Sequence, residues 1–64
     1  MPNFVTTLSS SVRGDLERHQ APTRADAFKA ASELAIACLA REAERQWMHN
    51  EVVSIRVEAD PAGS

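Results

Sequence analysis

The sequence predicts an α+β fold: an N-terminal strand, a short helix, a long central helix and a C-terminal strand. Three observations carry that expectation. Residues 24–47 hold no helix breaker and are dense in alanine, residues 51–59 alternate apolar and polar, and residues 3–8 are rich in aromatic and β-branched types.

In the first strand (Asn-Phe-Val-Thr-Thr-Leu), Phe4, Thr6 and Leu8 fall on one face. Ser9, Ser10 and Ser11 follow; serine clusters mark loops or helix N-caps, because the hydroxyl competes for nearby backbone groups. Residues 12–20 admit two readings. Val12, Leu16 and His19 or Gln20 lie on one face of a short helix, and Asp15 and Glu17 suit its first turns. Against this, Gly14 costs a helix about 1 kcal/mol relative to alanine. The alternative is a second strand hairpinned to the first, with Val12, Gly14 and Leu16 on one face. It gives a ββαβ module with one helix packed on a small antiparallel sheet. The helix is the reading adopted.

Ala21-Pro22 is a break, since the residue before proline avoids the helical region. Thr23 with Asp26 has the spacing of a capping box and marks a helix start. One apolar stripe of the long helix holds Ala27, Phe28, Ala31, Leu34, Ala35, Cys38 and Leu39; a second, nearly opposite, holds Ile36, Ala40, Ala43 and Trp47. A helix apolar all round is a buried helix, and the core of so small a chain covers one side only. Ile36, Ala40, Ala43 and Trp47 are therefore the expected oligomer interface. Asp26, Lys29 and Glu33 form an ordinary solvated side. His49-Asn50 ends the helix. In the strand at 51–59, Val53, Ile55, Val57 and Ala59 face one way and Val52, Ser54, Arg56 and Glu58 the other; residues 61–64 read as a frayed tail.

Sixty-four residues make one domain, 1–64. Below roughly 70–80 residues a core seldom supplies more than about 3–5 kcal/mol, and a staple is usual. A single cysteine, Cys38, gives no internal disulfide, and His19 and His49 form no metal cluster, so no metal and no cofactor are expected. Homo-oligomerisation or a protein partner is the remaining staple. No apolar run approaches the roughly 20 residues of a membrane helix. No secretory signal is visible, and a lone cysteine fits a reducing compartment, so a cytoplasmic protein is expected. The net charge of −2 gives no general pull toward nucleic acid.

No catalytic constellation is present, and the protein is read as not an enzyme. Arg13-Gly14-Asp15 spells an integrin-type tripeptide that lacks the secreted context it needs. Cys38 sits in an apolar helix centre, where cysteine behaves as a small hydrophobe. The start Met1-Pro2 and the run Ser54-Ile55-Arg56-Val57 resemble small tautomerases of the 4-oxalocrotonate type, in which an N-terminal proline serves as base; the stretch between Pro2 and Arg56 is much longer than that compact unit.

The run Phe4-Val5-Thr6-Thr7-Leu8, then Ser9 to Arg18, then Thr23 to Ala31, resembles the ribbon-helix-helix DNA-binding family over residues 3–40. That resemblance implies an intertwined dimer, whose strands from two chains pair into a ribbon for the major groove. By position, Asn3, Val5 and Thr7 would face the groove, and Thr23 and Arg24 would contact phosphate at a helix N-terminus. The function implied is a small dimeric DNA-binding regulator or antitoxin, with residues 51–59 gripping a protein partner. The alternative is a ββαβ oligomerisation or protein-interaction module without DNA binding. Its outline is similar to the small domains of HicB-like antitoxins.

Overall fold

The computed structural model describes residues 3–61, and its element order is ββαβ. Strand β1 spans Asn3–Ser10, β2 Gly14–Ala21, helix α1 Arg24–Ala43 and β3 Val53–Asp60. All three strands are antiparallel, in the order β2-β1-β3, with α1 packed on one face. The α+β class and the long helix are therefore as expected, and the element order is that of the ββαβ alternative rather than of the reading adopted. The short helix over residues 12–20 is not there; that segment is the turn and second strand of a hairpin. The Ser10 hydroxyl oxygen, which could have capped a helix, accepts from the backbone N–H groups of Val12 and Arg13 at 3.1 and 3.2 Å and closes the turn instead. Gly14 leaves that turn with φ +80, a left-handed conformation that glycine adopts without strain.

The pairing register fixes which side chains meet the helix. Leu8 pairs with Glu17 and Ser9 with Asp15, so Leu16 is an extra residue, a β-bulge in β2. On β1 the even positions point to the helix. The Thr6 hydroxyl donates to the Ala27 carbonyl oxygen at 2.7 Å, and the Arg24 guanidinium lies 5.0 Å from the centre of the Phe4 ring. The odd positions Val5 and Thr7 face away from α1. They are nonetheless buried, because the longer side chains of their cross-strand partners Arg18, Gln20, Arg56 and Glu58 flank them.

Helix α1 begins as expected. Thr23 is the N-cap in extended backbone, and its hydroxyl oxygen accepts from the Asp26 N–H at 3.1 Å. It ends at Ala43, one turn before Trp47. The Gln46 N–H donates to the Arg41 carbonyl at 2.9 Å and the Arg45 N–H to that of Glu42 at 3.0 Å. Arg45 has φ 57. This is a Schellman motif, with arginine in the left-handed position usually given to glycine. The chain then reverses through residues 44–52 into β3.

The core lies between α1 and the middle of the sheet, where Leu8, Ala27 and Leu34 are buried. Three strands are narrower than the apolar circumference of the helix. Ala31 and Cys38 are half-buried, whereas Phe28, Ile36 and Leu39 stay 57, 66 and 70% exposed. The first stripe of α1 is thus core along one edge only. No helix of the described residues is long and apolar enough to cross a membrane.

Candidate functional site

The exposed flank of α1 lies above β3, the edge strand. Between them runs an open groove of about 660 Å³ lined by Ala35, Cys38, Leu39, Trp47, Val53 and Ile55, with Glu42, His49 and Glu51 at its rim. Its floor, Val53 and Ile55, follows from strand alternation: these two and Val57 point toward the helix and are half-buried, while Ser54, Arg56 and Glu58 point the other way and are exposed.

Trp47 closes one end. The Schellman turn folds it back on the helix, where its indole N–H donates to the Cys38 carbonyl oxygen at 3.3 Å. The guanidinium groups of Arg13 and Arg41 lie 5.6 and 5.4 Å from its ring centre, at distances where a cation is attracted to an aromatic face. Arg13 further donates to the Gln46 carbonyl oxygen at 2.9 Å and pairs with Glu51 at 3.4 Å. Glu51 in turn accepts from the Ser10 hydroxyl and, at 3.0 Å, from the Met48 N–H. Those two hydrogen bonds, the Ser10 one foremost, and then the Arg13 charge hold its carboxyl below the usual carboxylate range against the opposing effect of desolvation. The Glu51 side chain has no solvent exposure, yet few atoms pack around it, so it is a covered surface site rather than a core charge.

Beside the groove is the outer edge of β3, which has no strand neighbour among the described residues. The Ser11 N–H donates to the Val52 carbonyl oxygen at 2.9 Å, and these residues stand opposite each other in the β1–β3 register. In an antiparallel ladder, hydrogen-bonded and non-bonded pairs alternate. Ser54, Arg56 and Glu58 therefore turn their N–H and C=O groups to β1, and Val53, Ile55, Val57 and Ala59 turn theirs outward. An apolar trough and a row of outward backbone groups thus lie side by side.

The residues expected from sequence to bind nucleic acid are not brought together. Asn3, Val5 and Thr7 share the sheet face remote from α1, and Val5 and Thr7 are only 2 and 3% exposed. Thr23 and Arg24 sit on the helix side, the first occupied as N-cap and the second stacked over Phe4. Both edges of β1 are taken by β2 and β3, so β1 has no edge to offer a ribbon from another chain. Of the expected interface, Ile36, Ala40 and Ala43 lie exposed on α1, but Trp47 is past its end and folded against it, so the four do not form one stripe. The tautomerase-like Pro2 lies outside the described residues. Sequence reasoning missed the groove because it assigned Ala35, Cys38 and Leu39 to the core. The signal was present in those residues together with the inward positions Val53 and Ile55.

Comparison with known proteins brought no match: no family model, no curated protein and no solved structure corresponds to the chain.

Proposed function

We propose that the chain is a non-enzymatic ββαβ interaction module that receives an extended polypeptide along the outer edge of β3. One observation carries the reading: an apolar groove lined by Val53 and Ile55 lies beside their outward backbone groups, and the same open edge continues through Val57 and Ala59. Recognition by strand addition needs this pair of features. Main-chain hydrogen bonds supply affinity, and pockets for alternate side chains supply selectivity. Exposed Leu39 and Met48 line this groove, and clustered apolar exposure marks interaction sites. A small chain whose helix keeps an uncovered apolar flank gains most from such docking, because added burial supplements a thin core.

The alternative of DNA binding has weaker support. The open sheet face carries Arg18 and Arg56 but also Glu58 and Asp15, a mixture that offers phosphate no continuous positive track. The test is a pair of NMR titrations of the ¹⁵N-labelled protein. One uses a synthetic alternating Val-Thr heptapeptide, the other a random-sequence DNA duplex at low salt. Strand docking expects the peptide to shift the amides of Val53 to Ala59, Leu39 and the Trp47 indole, with no such response to DNA. Saturable shifts around Arg18, Arg24 and Arg56 with the duplex alone would overturn it.

A further inference from the structure

We propose that the strand received at this edge is β3 of a second copy of the chain, paired antiparallel about a two-fold axis at Val57. The proposal rests on the strand-docking reading above and names its partner. A two-fold between identical antiparallel edge strands permits few registers. Hydrogen bonds across the new seam use the outward groups of the odd-numbered residues, so odd residues face odd and even face even. Over an eight-residue strand, two registers give nearly full overlap. In one, Arg56 stands opposite Arg56 of the second copy, a like-charge pair. In the other, Val57 stands opposite Val57, and Arg56 of each copy stands opposite Glu58 of the other.

The second register sets Arg56 and Glu58 against each other on both sides of the axis, with Asp60 opposite Ser54. Arg56 and Glu58 are both exposed, share the face remote from α1, and make no ion pair within their own chain among the described residues. The seam would place them at non-hydrogen-bonded positions, where opposing side chains come closest. An edge strand left open to solvent is ordinarily protected against chance pairing by its charges. Here a basic and an acidic residue two apart are self-complementary in a single register and repulsive one step away.

The axis is perpendicular to the sheet, so pairing yields six strands with both helices on one face. The two β1 strands would lie three strand spacings apart, about 14 Å. Helices in contact sit about 8–10 Å apart, so alanines alone would not bridge that distance. On the flanks that turn toward each other the exposed Phe28 lies nearest the axis, next to Ala27, whose carbonyl oxygen bonds Thr6 opposite Val57, whereas Leu39 lies toward Val53 and Ile55, away from the axis.

The test uses the full chain and three variants: Arg56→Glu, Glu58→Arg and the double exchange. Sedimentation velocity is run from about 1 µM to about 1 mM, the range in which a small interface dissociates. The wild type is expected to associate to a dimer. Each single variant turns both matched pairs into like-charge pairs and should weaken the dimer about tenfold or more; the double variant should restore it. Mixing the two single variants should give a heterodimer. Circular dichroism of each variant checks that the ββαβ fold persists. A wild type that stays monomeric throughout overturns the proposal, as does a dimer indifferent to the single exchanges. The heptapeptide titration separates the two failures. A monomeric chain that still binds the peptide along β3 refutes self-pairing alone, and one that ignores it refutes the docking edge too.

Discussion

The Thr6 hydroxyl donates to the Ala27 carbonyl oxygen at 2.7 Å, and neither residue has any solvent exposure. This one bond joins the middle of the central strand to the first turn of the helix and fixes where α1 lies across the sheet. Thr6→Val keeps the shape and removes the donor. A buried hydrogen bond is worth about 1 kcal/mol net, which in a domain of this size is a melting-temperature drop of about 4–8 °C. Thr6→Ser keeps the donor and loses one methyl group, about 0.8 kcal/mol of burial. Thermal melts of both variants are the check. A Thr6→Val protein as stable as the wild type would show that the bond contributes nothing beyond packing.

The exposed flank of α1 gives a prediction of the opposite kind. Leu39 is 70% exposed and lines the groove. Leu39→Glu should leave stability within about 0.5 kcal/mol of the wild type, as for most surface substitutions. It should nonetheless weaken strand binding about tenfold, by placing a charge where apolar contact forms. The melt and the peptide titration together decide it. Lost stability with unchanged binding would place Leu39 in the core rather than in a docking face.

What the sequence made legible, and what it hid, follows from how strongly each segment's pattern depends on its surroundings. The alternation of β3 and the Thr23 cap are local signals, and both appear in the structure nearly where expected. The segment 12–20 carries no such signal. β2 is an edge strand with polar residues on both faces, Val12 lies in the turn, and the bulge at Leu16 puts half-buried Leu16 and Glu17 side by side. Its apolar residues then repeat at helical spacing by coincidence. The groove was hidden for a different reason. Periodicity identifies an apolar helix face, but not the width of the sheet beneath it, and three strands leave Phe28 and Leu39 outside.

Acid titration isolates the cluster that ties β3 to the hairpin turn. The folded-state pKa of Glu51 is lowered, so its hydrogen bonds contribute stability above its unfolded-state value. That contribution is lost as pH falls through the depressed folded-state value. Glu51→Gln has no charge to titrate. Urea midpoints measured from about pH 7 down to about pH 3, spanning the ordinary carboxylate range, should therefore fall less steeply for the variant than for the wild type. Equal slopes would mean that Ser10, Met48 and Arg13 leave Glu51 titrating as it does in the unfolded chain.

The helix terminus offers a stabilising change. Arg45 holds φ 57 at the left-handed position of a Schellman motif, where its Cβ is strained and glycine is not. Its side chain makes no hydrogen bond or ion pair among the described residues. Arg45→Gly should therefore relieve about 1 kcal/mol of strain, offset in part by the greater freedom of glycine in the unfolded chain. The net expectation is a modest gain, on the order of 0.5 kcal/mol. Gly14→Ala is the mirror experiment. Among the described residues nothing lies within 4 Å of the added Cβ, so the cost comes from φ +80, and about 1 kcal/mol is expected. Paired urea titrations should move the two midpoints in opposite directions. If Arg45→Gly destabilises, the end of α1 is held by its side chain and not by the backbone bonds from Arg45 and Gln46, and the sequence's silence about a stop before Trp47 would need another cause.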